Sequence, residues 1–515
     1  MMMKESIQIS YRYFLCPLFL LMGSVCHADD ITIHYKASTA KVEHKANDSV
    51  KVTVDGASVN IESLYKDHKL TVRMTGKSTD GRLVLKSAGK AKVTLDGLTL
   101  TSQEGAPLDL KNKKKVEVVA AKGTENTLTI TACKDTANHK AAVIWAKDKL
   151  LLSGKGTLNI VATGDGCRGI KTKKDITIEE LTLNVTTTGD NLGEKPFGFG
   201  GFPGMPEGGF PDFGGGFPGF PGGGFPMGND STARGGFPGM PGGGFPNFGG
   251  GFPMGGGFPN FGNRDDSEED GEQSGFAGFA GKHKYVASTK GIASKGKITI
   301  NSGNVTVRTT TAGAEGIEGK EGIDFNGGNV DVFTTDDAIN ANATIAFNGA
   351  NVTARSTGND AVDSNPKGGF FMPFGGNNDQ DTEPAIVING GTVYAWSQVG
   401  SPEEGLDGDF APFVVNGGTI FSVGGGMGEM PSVPTNETAK QPTVLLIGIN
   451  IVKDEPVNIY DAGGKLLNTV TVPFSLRRSA SLVGSPAFKV GGKYTVKTKG
   501  YEKTFTLNEP FTVVR

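Results

Sequence analysis

The chain has 515 residues, with 51 Lys and Arg against 54 Asp and Glu, a formal net charge of -3 and 37% apolar residues. That balance, with lysines scattered and not interleaved with aromatics, excludes a nucleic-acid binder. Six histidines and four cysteines suggest neither a Ser, His and Asp arrangement nor a soft-ligand metal centre.

Residues 1–28 read as a secretory signal: Lys4 and Arg12 flank the start, Phe14 to Val25 is apolar, and Cys26-His-Ala28 supplies a small-residue cleavage site. A lipidated Cys26 is the alternative. Cleavage after Ala28 would leave a mature chain that starts at Asp29, has no transmembrane segment, and is secreted or held at the cell surface. Residues 29–92 carry short alternating runs such as Val50 to Val54 and Lys69 to Met74, expected to form an N-terminal β cap and first rungs. Over 93–191 the runs become regular, as in Val93-Thr-Leu-Asp-Gly-Leu-Thr-Leu100 and Gly156-Thr-Leu-Asn-Ile160. Cys133 and Cys167 are either one disulfide across neighbouring turns or two buried thiols.

Residues 192–281 interrupt the pattern. From Phe197 to Phe261 the chain is almost only Gly, Phe, Pro and Met, and 14 of its 31 Phe fall there. Gly and Pro at that density prevent a packed element, so a disordered insert is expected and those rings are not counted as core. A shorter insert of the same composition spans 364–383. The two are either an aromatic curtain able to touch a sugar or tolerated loops.

Between them lies the clearest repeat. Ile298-Thr-Ile-Asn301-Ser-Gly-Asn-Val-Thr-Val307 recurs with its asparagine at Asn326, Asn348, Asn389 and Asn416, after 25, 22, 41 and 27 residues. With the short insert removed, the longest gap falls to about one period. Such a period marks a stacked repeat whose units bury their apolar faces only against one another. The expected fold is all-β: a right-handed parallel β-helix, a solenoid in which the repeated motif folds two short strands around a turn. The asparagines would form a ladder at a corner whose left-handed backbone Asn tolerates.

A second column alternates with the first and is acidic: Glu315 and Glu318, Asp337 and Asn340, Asp360 and Asp363, Glu404 and Asp407. The first members are 22, 23 and 44 residues apart. Region 282–440 holds 10 Lys and Arg against 18 Asp and Glu, whereas 29–189 holds 26 against 19, so the column is no average property. Carboxylates about 5 Å apart repel by roughly 1 kcal/mol in water and more at a protein surface. A cation would neutralise them, and hard oxygen donors point to Ca²⁺; the other reading is a solvated acidic turn. Arg168 and Lys290 occupy the column's register in earlier repeats, which therefore cannot hold a cation the same way, with Asp165 as an outlying candidate ligand. After Pro442 the ladder stops, and 441–515 reads as a C-terminal β cap or β-sandwich.

Ala121-Lys-Gly-Thr-Glu-Asn-Thr-Leu128, Ala142-Val-Ile-Trp-Ala-Lys-Asp-Lys-Leu-Leu-Leu-Ser-Gly-Lys-Gly-Thr-Leu-Asn-Ile160 and the Asn-Gly-Gly repeats resemble the secreted carbohydrate-binding β-helix family typified by a clostridial cellulose- and pectin-binding protein. The resemblance covers about 31 to 500, inserts aside. It implies a pectate-lyase-like parallel β-helix, Ca²⁺ held by the eight residues of the acidic column, and a polysaccharide partner of the polygalacturonate or cellulose class. The expected function is noncatalytic carbohydrate binding. The alternatives are a calcium-dependent polysaccharide lyase, with Lys320 or Arg355 nominated as base, and an adhesin with a protein partner.

Overall fold

In the computed structural model, which describes residues 30–45, 48–133, 141–195, 284–366, 383–408, 411–425 and 432–515, each repeat makes three short strands. The third is built from the acidic tetrapeptides, as in Glu315–Gly319, Ile339–Ala341 and Val362–Ser364. Alternation of apolar with other residues sets the faces: along Asn304–Thr309, Val305 and Val307 are buried while Thr306 and Arg308 are half-exposed. No helix occurs among the described residues.

Corresponding strands of successive repeats pair in parallel, giving three ladders. One runs through Val116–Ala120, Leu150–Gly154, Ile176–Ile178, Ile298–Ile300 and Ile323–Phe325. A second runs through Glu125–Ile130, Thr157–Ala162, Thr182–Thr187, Asn304–Thr309 and Asn329–Thr334. The third, a separate ten-stranded sheet, ends at Val362–Ser364 and carries the acidic column.

The expected open right-handed parallel β-helix is corrected here. Ala91–Ser102 and Ile345–Ser356 each run as one strand through the corner between the first two ladders, with an irregularity of register there, and pair in both. They tie the two ladders into a closed ring of twelve strands, a parallel β-barrel in its hydrogen-bond topology. Short sequence repeats give the period and the pairing partner but do not say which corners the chain rounds without breaking its ladder bonds. In-register side chains including Ile300, Phe325 and Phe347 are buried in the core, and Ile388 continues the row one repeat further on. Phe325 and Phe347 stack with centroids 5.1 Å apart.

The asparagine ladder forms. Nδ2 of Asn326, Asn348, Asn389 and Asn416 donates to Oδ1 of the asparagine one repeat earlier, at 2.9, 2.8, 2.7 and 2.6 Å. The left-handed residues, however, are Gly303, Gly328, Gly391 and Gly418, with φ of 95°, 83°, 82° and 108°. Asparagine must keep its amide aligned with the stack, so glycine takes the conformation that costs a side chain most.

At the C-terminal end, Thr443–Ile451 and Leu476–Gly484 pair antiparallel, and the latter joins Thr419–Val423 of the second ladder. A four-stranded antiparallel sheet follows, and Trp396, Phe421 and Val423 share a core with Val444, Phe474 and Tyr494. At the other end, Ile31–Ala37 pairs antiparallel with Thr39–His44 and parallel with Leu70–Ser78. Cys133 and Cys167 are not joined in a disulfide; Cys167 is buried and burial pushes its pKa up to about 12. The expected leader over 1–28, most of the long insert and most of the short one lie outside the described residues. The flanks of the long insert, Leu192–Lys195 and Lys284–Ala287, pair antiparallel.

Candidate functional site

The turns before Glu315, Asp337 and Asp360 are held by buried hydroxyls. Hydroxyls of Thr309, Thr334 and Ser397, all buried, donate to the carbonyls of Ala314, Asp336 and Asn359 at 3.0, 2.6 and 2.8 Å. The next position is small in every repeat, Gly316, Ala338, Ala361 or Gly405. A Cβ at Gly316 would meet the Ala338 carbonyl at 2.4 Å. Backbone bonds run from Gly316 N to Asp337 O (3.0 Å), Ala338 N to Asp360 O (3.3 Å) and Ala361 N to Glu404 O (3.1 Å). Glu315, Asp337, Asp360 and Glu404 therefore stand in one line, with Glu318, Asn340, Asp363 and Asp407 in register beside them.

These two lines divide into chemically different halves. In the upper half, Lys290 pairs in register with Glu315 and is only 1% exposed; its Nζ lies 3.1 Å from Glu315 and 2.9 Å from Glu318. Lys320 reaches Glu318 from the other side at 2.5 Å. Burial pushes the Glu318 carboxyl up, but the charges of Lys290 and Lys320 and hydrogen bonds from both outweigh it and hold it down at about 2. The protein supplies its own cation here.

In the lower half the acids crowd one another. Burial, followed by the charges of Asp337 and Asp407, raises Asp360 well above the usual carboxylate range, against a hydrogen bond from Glu404 N. Asn340 Nδ2 donates to Asp337 and to Asp363, at 3.0 Å each. Asn365 donates to both oxygens of Asp363 (2.9 and 2.8 Å). Ser432 donates through its backbone N to Glu404 (2.7 Å) and through its hydroxyl to Asp407 (2.9 Å). All of these acids except the half-buried Asp407 are buried. As donors for a hard cation, five carboxylates with amide and hydroxyl neighbours fit in kind. Among the described residues, no three His, Cys, Asp or Glu side chains are already gathered as a cage.

All eight residues named from the sequence thus lie in two adjacent lines on one sheet, with Glu315 and Glu318 committed to lysine. Sequence reasoning placed Lys290 in the column's register but did not assign it to Glu318, which sits three residues beyond its direct partner. Asn365 and Ser432 carried no signal, since each follows the repeat by an irregular interval. Of the two residues nominated as a lyase base, Lys320 is in the ion pair with Glu318. Arg355 is on a different ladder from the acids.

The comparisons with known proteins agree in kind. Residues 55–195 and 264–364 match the profile of carbohydrate-binding domain-containing proteins, the ligand class that the sequence resemblance implied. A curated carbohydrate-binding domain-containing protein of Acetivibrio thermocellus is 30% identical over 147 residues, 27% of this chain; the chain spans 50% of that relative's length. A solved structure, described as a polysaccharide lyase-like protein from C. thermocellum in a gadolinium derivative, aligns over 65% of this chain and 92% of its own. Its TM-score of 0.37 and 16% identity are too slight to carry an argument.

Proposed function

We propose that this protein binds polysaccharide outside the cytoplasm, and that the lower acidic lines, Asp337, Asn340, Asp360, Asp363, Glu404 and Asp407, take up Ca²⁺ in doing so. The observation that carries the calcium reading is Asp360, buried and raised by the charges of Asp337 and Asp407, whereas the equivalent crowding two repeats earlier, at Glu315 and Glu318, is relieved by Lys290. A divalent ion would supply the same neutralisation below, by bridging carboxylate oxygens that otherwise repel. The match to carbohydrate-binding domains supports the ligand class, and the acidic or cellulosic plant-type glycan inferred from the sequence remains the specific form of the proposal.

Affinity electrophoresis through gels containing polygalacturonate, cellulose derivative or neutral glucan tests it, run with calcium and with chelator. Retardation by a glycan that chelator relieves is the expected result. Retardation insensitive to chelator would contradict the calcium dependence, and mobility unchanged in every gel would contradict polysaccharide binding. An absorbance assay for unsaturated products in the same samples separates binding from turnover.

A further inference from the structure

The second ladder carries a different kind of surface, on strands away from the acids. In register across four repeats stand Arg308, Phe333, Arg355 and Trp396, with Asp331, Thr353 and Tyr394 two residues earlier. Arg308 is satisfied by Asp331, through an ion pair and a 2.9 Å bond to its carbonyl. Arg355 is not matched in this way. Its guanidinium lies 4.8 Å from the Phe333 centroid and 5.7 Å from that of Phe474, and its Nε and Nη2 donate to Gln398 Oε1 at 3.3 and 2.7 Å. No carboxylate of a described residue is within ion-pair distance of it. Burial and the nearby charge of Arg308 both work against its protonated form, so a charge-compensating anion would be stabilising.

Beside it, the rings of Tyr394 and Trp396 stack 5.9 Å apart at 15°, with Tyr394 half-buried. The Trp396 indole nitrogen is buried with no acceptor among the described residues. Aromatic rings offer a platform to the apolar C–H face of a sugar, and the guanidinium N–H groups that Gln398 does not take, those of Nη1 and the second on Nη2, are a donor pair of the kind that matches a carboxylate.

We propose that Phe333, Arg355 and Tyr394 form a subsite for a carboxylate-bearing sugar of a polysaccharide chain. The subsite rests on the polysaccharide-binding reading and locates its anion recognition on a ladder separate from the calcium lines. It takes a uronate residue, with the ring on the aromatic side chains and the carboxylate on Arg355. Phe474, in the bend between Leu466–Thr471 and Leu476–Gly484, bounds it at one end.

The test is affinity electrophoresis of the full chain against polygalacturonate and against its methyl ester, with Arg355→Met, Arg355→Lys and Tyr394→Ser. Melting midpoints show that each variant is folded. Loss of a charged hydrogen-bonded contact predicts at least about tenfold weaker binding of polygalacturonate by Arg355→Met. The Arg355→Lys variant should be intermediate and the methyl ester unaffected by either. Tyr394→Ser, which leaves Arg355 and Phe474 in contact, should weaken both ligands. If wild type and all variants bind polygalacturonate equally, or wild type prefers the ester, the subsite is wrong and polysaccharide binding stands. If wild type binds neither glycan, nor any neutral one, both readings fall.

Discussion

Lys290 Nζ lies 2.9 Å from Oε1 of Glu318, a residue in the next repeat, and the ammonium is almost wholly enclosed. A lysine enters the acidic register one repeat before the acids begin, so the line starts with a permanent cation. Below it, burial and the charges of Asp337, Asp407 and Glu403 raise the Asp360 carboxyl.

Removing one partner of this pair leaves the other buried and uncompensated. Glu318→Gln should cost about 3–5 kcal/mol, read from denaturant midpoints at pH 7. The pH dependence follows from a carboxyl whose folded pKa, about 2, is below its ordinary 4.5. Its stabilisation is complete above about 4.5 and is lost as pH falls through about 2. Acid unfolding of wild type should therefore be steeper across that window than that of Glu318→Gln.

Asp360 has the opposite sign. A carboxyl whose folded pKa is raised contributes stability below its ordinary value, lost as pH rises through the folded one. In chelator, Asp360→Asn should melt higher than wild type at pH 7, by about 1 kcal/mol, and the gap should close at pH 3. Calcium at a hundredfold its dissociation constant should add about 2.7 kcal/mol to wild type and much less to Asp360→Asn.

Asn348 sits mid-ladder, donating to Asn326 at 2.8 Å and accepting from Asn389 at 2.7 Å. Asn348→Ala removes both bonds in an exposed setting and should cost about 1–2 kcal/mol. Asn416→Ala, which removes only the bond to Asn389, should cost about half as much by thermal melting.

Gly391 combines φ of 82° with a carbonyl, that of Ala350, 2.2 Å from where a Cβ would sit. Gly391→Ala should destabilise by more than the about 1–3 kcal/mol of left-handed strain alone. Gly464→Ala, also at positive φ but in open space, gives the strain contribution for comparison.

The sequence made the repeat, the asparagine ladder and the acidic lines legible because each depends on side chains recurring at one period. What it hid has physical reasons. The closure into a twelve-strand ring depends on Ala91–Ser102 and Ile345–Ser356 keeping their ladder bonds round a corner, and Asp96-Gly97 there looks like any other turn. A second asparagine ladder, Asn329 to Asn304 at 2.9 Å and Asn351 to Asn329 at 3.0 Å, stood in the same quoted motif. The Arg355 patch was obscured because its members, Phe333, Arg355 and Tyr394, change identity from repeat to repeat. A site made of unlike residues has no period to reveal it.

Calcium titration into chelator-washed protein, followed calorimetrically for wild type and for the Asp360→Asn, Asp363→Asn double variant, tests the central claim most directly. Saturable binding to wild type that the double variant loses, and that Glu315→Gln retains, is the predicted result. No bound calcium in wild type, or equal binding by the double variant, would contradict it.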